Sequence, residues 1–148
     1  MVSEDMLRRF PYFTGASNLT LTHLCRMAEL KQVREGTRLF KSGEKAKALQ
    51  ILLSGEVEVY LDLPELGKVV VDSVMAGELI QWSAVVEPYI TTASARATCD
   101  CEIISVPGDE LRKRCEVDNA LGFRMMNQVA SALSSRLRGV YVQLASLR

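Results

Sequence analysis

The stretch from Leu49 to Tyr60 constrains the rest of the chain most. Leu49-Gln50-Ile51-Leu52-Leu53 runs into Ser54-Gly55-Glu56 and then into the alternating Val57-Glu58-Val59-Tyr60. Apolar and polar residues at a period of two mark a strand with one buried face. A glycine between two such runs reaches positive φ without a Cβ penalty, so Gly55 is expected at a hairpin. An isolated hairpin is only marginally stable in water, so the chain must supply further strands or helices to cover it.

Those strands are legible on both sides. Val33, Thr37 and Leu39-Phe40 precede a turn at Lys41-Ser42-Gly43-Glu44. Asp62 to Lys68 contains Pro64 and Gly67 and reads as a loop, from which Val69-Val70-Val71 and Val74 return. Ser94 to Thr98 and Cys101-Glu102-Ile103-Ile104-Ser105-Val106 follow, ended by Pro107-Gly108. Short strands separated by glycine turns, with helices only at the two ends, predict a mainly β chain folded as a jelly-roll β-barrel. A barrel of this size can enclose one small ligand.

The helical ends have their own signals. Met1 to Thr14 predicts a short amphipathic helix with Met6, Leu7 and Phe10 on one side, stopped by Pro11. Ser17 or Asn18 caps a second, in which Leu21, Leu24, Cys25 and Ala28 recur at helical spacing. Asp109 is expected to cap a helix through Cys115, and a longer one begins near Asp118-Asn119. The expectation is one domain over residues 1–148: N-terminal helices over 1–30, the barrel over 31–108 and C-terminal helices over 109–148.

In the long helix, Met126, Ala130, Leu133, Leu137, Val140, Leu144 and Leu147 alternate in steps of four and three, the spacing of a coiled-coil seam. If helical throughout, Asn119 to Leu147 would be roughly 44 Å long, more than a small barrel needs as a cover. The expectation is a homodimer through this seam, with a lid folded over its own barrel as the alternative and Gly139 as a hinge between the two.

Eighteen basic and eighteen acidic residues cancel, so no broad nucleic-acid-binding face is expected. No apolar run approaches the roughly twenty residues that cross a bilayer, and Met1 to Phe10 lack a signal peptide's apolar centre, so a cytoplasmic protein is expected. Cys25, Cys99, Cys101 and Cys115 have no metal-ligand spacing and are expected as small core residues. His23 is the single histidine, which rules out a histidine-clustered metal enzyme, and no nucleophile stands beside a base.

Gly77 to Ala97 holds the candidate site. Two strand-like runs flank Ser83 to Val86, long enough for one helical turn whose first N–H groups could receive an anion, with Ser83 at its mouth as a cap. This stretch resembles the phosphate-binding cassette of the cyclic nucleotide-binding domain, the sensor half of Crp/Fnr-type bacterial regulators and of cyclic-nucleotide-regulated kinases and channels. Phe40, Gly43 and the apolar run into Ser54-Gly55-Glu56-Val57-Glu58-Val59 resemble that family's strand signature. In the register fixed by Gly77 and by Ala93-Ser94-Ala95-Arg96-Ala97, Gly77 and Ala84 match the family, while Gln81 stands at a glycine, Trp82 at the ribose-binding glutamate and Thr91 at the phosphate-binding arginine. Trp82-Ser83-Ala84-Val85-Val86 and Pro88-Tyr89 resemble a subset of these domains in which an arginine follows the tyrosine; here Ile90 stands there.

The resemblance implies a non-enzymatic sensor that does not take cAMP in the family's usual way, because neither threonine nor tryptophan reproduces a paired arginine–phosphate contact. Gln81, Trp82, Ser83, Ala84, Thr91 and Thr92 would surround a cyclic nucleotide or another small anion, with Arg96 or an arginine of the long helix as the replacement cation. Output would pass to a protein effector or through the dimer. The alternatives are a ligand-free dimerising module, with Trp82 filling the ribose space, or the sensor half of a transcriptional regulator lacking its DNA-binding domain.

Overall fold

A computed structural model describes residues 1–147. Eight strands form two four-stranded antiparallel sheets. The first runs β1 (Glu29–Val33), β8 (Cys101–Pro107), β3 (Ala48–Ser54), β6 (Leu79–Gln81); the second runs β2 (Arg38–Phe40), β7 (Ser94–Ala97), β4 (Glu56–Leu63), β5 (Gly67–Met75). Sequence neighbours repeatedly lie in opposite sheets, so the chain is a jelly roll with helices at its ends, as the glycine-punctuated pattern predicts.

Gly55 turns β3 into β4 at φ +100°, and a Cβ there would lie 2.6 Å from Cys101 Sγ and 2.7 Å from Asp100 O. Alternation along β3 divides the core in two. Leu52, with Val57, Val59, Val74, Ile80, Ala95, Ala97, Cys101 and Ile103, fills the space between the sheets. Leu49 and Ile51 face outward with Leu79, Ile104 and Val106, where the helices cover them.

The N-terminal helix is shorter than its apolar spacing suggests: α1 spans Glu4–Arg8, capped by Ser3, and a separate 3-10 turn covers Pro11–Phe13. Pro11 starts that turn, the position where its missing N–H costs nothing. Ser17 caps α2 (Asn18–Met27), and its Oγ accepts from Thr20 N at 3.2 Å. Helix α3 (Gly108–Val117) has no side-chain cap; Pro107 holds the N-cap position and Asp109 lies inside the first turn, accepting from Glu110 N, so the expected Asp109 cap is corrected. Gly108 begins α3 because the chain approaches Ala84 there, and a Cβ would lie 3.0 Å from Ala84 O.

Asp118 caps α4 (Asn119–Ala145), which runs unbroken through Gly139 for 27 residues, about 40 Å. Its first half covers the barrel: Leu121, Met125 and Val129 are fully buried, and Ala132 and Leu133 pack beside them. Its second half does not, and Tyr141, Val142 and Leu144 are exposed. Leu147 lies past the end of the helix, in a turn closed by its N–H on Leu144 O, so the helical seam stops at Leu144. No helix among the described residues is long and apolar enough to cross a membrane, and the four cysteines are free thiols.

Candidate functional site

The segment between β6 and β7 bridges the two sheets. Gly77 lies ahead of it, in the turn between β5 and β6, at φ +90°; its N–H donates to Leu52 O at 2.7 Å and its carbonyl accepts from Tyr12 Oη at 2.9 Å. A 3-10 turn then spans Ser83–Val85. Ser83 does not cap it. The Gln81 carboxamide oxygen accepts from Ser83 N at 3.1 Å, and both residues are buried. Gln81 thus occupies one of the N–H groups expected to receive an anion.

The turn is held from behind by α3. Arg112 Nη1 donates to Ala84 O at 2.6 Å, and its guanidinium lies 4.1 Å from the centroid of the Tyr89 ring. Tyr89 adopts φ +62°, a left-handed conformation uncommon for a non-glycine residue, directly after Pro88.

Thr91 is 3% exposed, and its hydroxyl is fully employed: it donates to Lys41 O at 2.6 Å and accepts from Glu44 N at 3.0 Å. With Gly43 N on Thr91 O and Thr91 N on Glu44 O, it stitches the cassette to the turn between β2 and β3. Thr91, one of the residues expected around a ligand, has its hydroxyl committed to this turn. Arg96 also points away: it is exposed, and its Nε donates to Gly36 O at 3.2 Å.

Gln81, Trp82, Ser83 and Thr92 do come together, around a cavity closed by Phe40 and by Arg136 of α4. Its volume is only about 10 Å³, room for roughly one water. Trp82 is half-buried and packs on the helix-side core. Arg136 is the cation, and its Nε donates to Asp72 Oδ2 on β5 at 2.9 Å. It also borders an adjoining cleft of about 260 Å³ between α4 and β5, lined by Tyr12, Asp72, Glu78 and Ser135. Burial, and then the nearby Glu78 charge, push the Tyr12 phenol above its ordinary value.

The family model for the cyclic nucleotide-binding domain matches residues 30–118, β1 through α3. The chain belongs to the cyclic nucleotide-binding domain family. The domain is similar to a protein of Geobacter metallireducens named as a cyclic nucleotide-binding protein, at 34% identity over 93% of this chain and 99% of that one, with a TM-score of 0.81. It shares its fold with the sensor domain of the transcriptional regulator DNR of Pseudomonas aeruginosa, at 18% identity over 91% of each chain and a TM-score of 0.76. It is also 22% identical, over 92% of its length, to a protein of Rhodopseudomonas palustris named as a potassium channel, and spans 32% of that protein. The family and the fold are those of regulatory sensor domains.

Apart from Leu133, the seam residues within α4 lie away from the face that Leu121, Met125 and Val129 bury against the barrel. Met126, Ala130, Leu137 and Leu144 are exposed, Val140 is half-buried, and Leu133 is half-buried against the domain's own core. Phe123, 74% exposed and three residues before Met126, extends the same stripe by one step and was missed. The signal was there, since 123 to 126 continues the spacing. Among the described residues no cluster of histidine, cysteine or acidic groups could hold a metal.

Proposed function

We propose that this domain is a non-enzymatic regulatory module that signals by pairing α4 with α4 of a second copy, and that it does not bind cAMP as its family usually does. The closed cassette carries this reading: a cavity of about 10 Å³ cannot admit a nucleotide, and the Thr91 hydroxyl stands engaged where the family pattern places an arginine. Gly77 and Ala84 shape the backbone of the cassette, while Gln81, Trp82, Ser83 and Thr92 wall it. The stripe Phe123, Met126, Ala130, Leu137 and Leu144 is the surface a second copy would cover. Four free thiols fit a reducing, cytoplasmic setting, and zero net charge fits a protein effector in place of nucleic acid.

Sedimentation velocity tests the pairing. The wild type should sediment as a dimer at micromolar concentration, and Leu137→Asp should sediment as a monomer with unchanged circular dichroism; a monomeric wild type would refute the reading.

A second reading is a gated sensor. Arg136 borders both the closed cavity and the adjoining 260 Å³ cleft, so an anion that competes with Asp72 for its guanidinium would join the two spaces and free the middle of α4. Asp72→Asn should then strengthen the binding of an anion at that cleft, measured with cyclic nucleotides and inorganic phosphate as probes.

A further inference from the structure

A second cavity inside the roll shares Phe40 and Gln81 with the cassette but opens elsewhere, beside the turn between β2 and β3. Its volume is about 280 Å³. Gln50 on β3 pairs in register with Ser105 on β8 and with Gln81 on β6. Residues directly opposite in antiparallel strands project to the same face, so these three polar side chains form one row across three neighbouring strands.

Such a row is costly unless its groups are partnered. Gln81 and Ser105 are each 5% exposed, and Gln81 Oε1 is satisfied by Ser83 N. Gln50 Oε1 is buried with no hydrogen-bond partner among the described residues, an acceptor awaiting a donor.

Charge surrounds the same space. Lys31, Lys45 and Lys47 border the cavity, and none forms an ion pair among the described residues. Glu44, which also borders it, already accepts from Lys41 N through Oε1 at 2.6 Å. Leu39 and Phe40 add an apolar wall. Three ammonium groups at the rim of a recess raise the local concentration of anions, while the polar row selects for hydrogen-bonding groups within.

We propose that this cavity binds a small organic anion bearing a hydroxyl or amine donor, its charge held by Lys31, Lys45 and Lys47 and its donor by Gln50 Oε1. Because Gln81 is both a wall of this cavity and the cap of the Ser83 turn, occupancy here reaches the cassette through one side chain. The site does not depend on the cassette's own ligand.

Glycerol 3-phosphate, with one phosphate and two hydroxyls, is the probe. The full chain, labelled with nitrogen-15, is titrated with it and, separately, with sodium chloride at matched ionic strength. Saturable shifts are expected at the side-chain amides of Gln50 and Gln81 and at the backbone amide of Ser105. Affinity should be about tenfold weaker in the Lys45→Ser/Lys47→Ser double variant. Gln50→Leu should lose the saturable shifts while melting no lower than the wild type in the absence of probe, since no buried acceptor is left unpaired; should that variant fail to fold, the lysine variant alone decides. A wild-type titration without saturation, shifts that chloride reproduces, or shifts centred on Ser83 and Arg136 would each overturn the proposal.

Discussion

Arg136 Nε donates to Asp72 Oδ2 at 2.9 Å, tying the middle of α4 to β5 beside the cassette cavity. The two side chains are 19% and 36% exposed, so solvent screens the pair and its contribution to stability is small, about 0.5–1 kcal/mol. Its effect is on position. Arg136→Met should lower unfolding free energy by no more than about 1 kcal/mol, yet hydrogen exchange in α4 beyond Ala132 should quicken several-fold, as read by mass spectrometry. Unchanged exchange would mean that packing alone holds the helix.

Thr91 is expected to be structural. Thr91→Val keeps the shape but removes both the donor to Lys41 O and the acceptor for Glu44 N. A buried group left unpaired costs about 1–3 kcal/mol, so urea denaturation should show a loss in that range. Thr91→Arg, which restores the family's cation in sequence, should destabilise more and should not restore cAMP binding, because the side chain would have to enter a site that is 3% exposed.

The barrel was legible because its signals are local. Gly55, the alternation of Val57 and Val59, and the turn at Lys41 to Glu44 each determine their own neighbourhood, and together they admit few architectures. The site was legible only in part. Gln81, Trp82 and Ser83 are sequence neighbours and line one cavity, whereas the hydrogen bonds of Thr91 are invisible in the sequence because its partners, Lys41 and Glu44, lie some fifty positions away. Arg136 could be named only as one arginine of the long helix, since choosing among Arg124, Arg136 and Arg138 requires the rotation of α4 on the barrel. That rotation is set by Leu121, Met125 and Val129, which interleave with the seam residues and carry the same apolar signal. The row of Gln50, Gln81 and Ser105 spans three strands and exists only once their register is known.

Gly55 should tolerate no side chain. Its φ of +100° lies where L residues are strained, and a Cβ would fall 2.7 Å from Asp100 O, part of a backbone that cannot easily yield. Gly55→Ala is expected to cost about 2 kcal/mol or more, seen as a lower urea midpoint at unchanged slope.

Asp118 gives the domain an acid-sensitive joint. Its carboxylate accepts from Ser17 N at 3.0 Å and from Leu121 N at 3.2 Å, joining the start of α2 to the start of α4. The Ser17 backbone hydrogen bond first, with smaller help from Thr20 and Leu121, holds its pKa below the ordinary 3.8. A depressed carboxylate stabilises fully above its unfolded pKa and loses that contribution as pH falls through the folded one. The stability gap between the wild type and Asp118→Asn should therefore be constant near neutrality and shrink as pH falls below the ordinary carboxylate value of 3.8. A gap that widens on acidification would contradict the assignment.

Isothermal titration of the full chain with cAMP tests the central claim most directly. With the cassette closed around about 10 Å³ and Arg136 held by Asp72, no saturable heat is expected up to about millimolar nucleotide. One-to-one binding at about micromolar or tighter, abolished by Trp82→Ala or Arg136→Met, would contradict it.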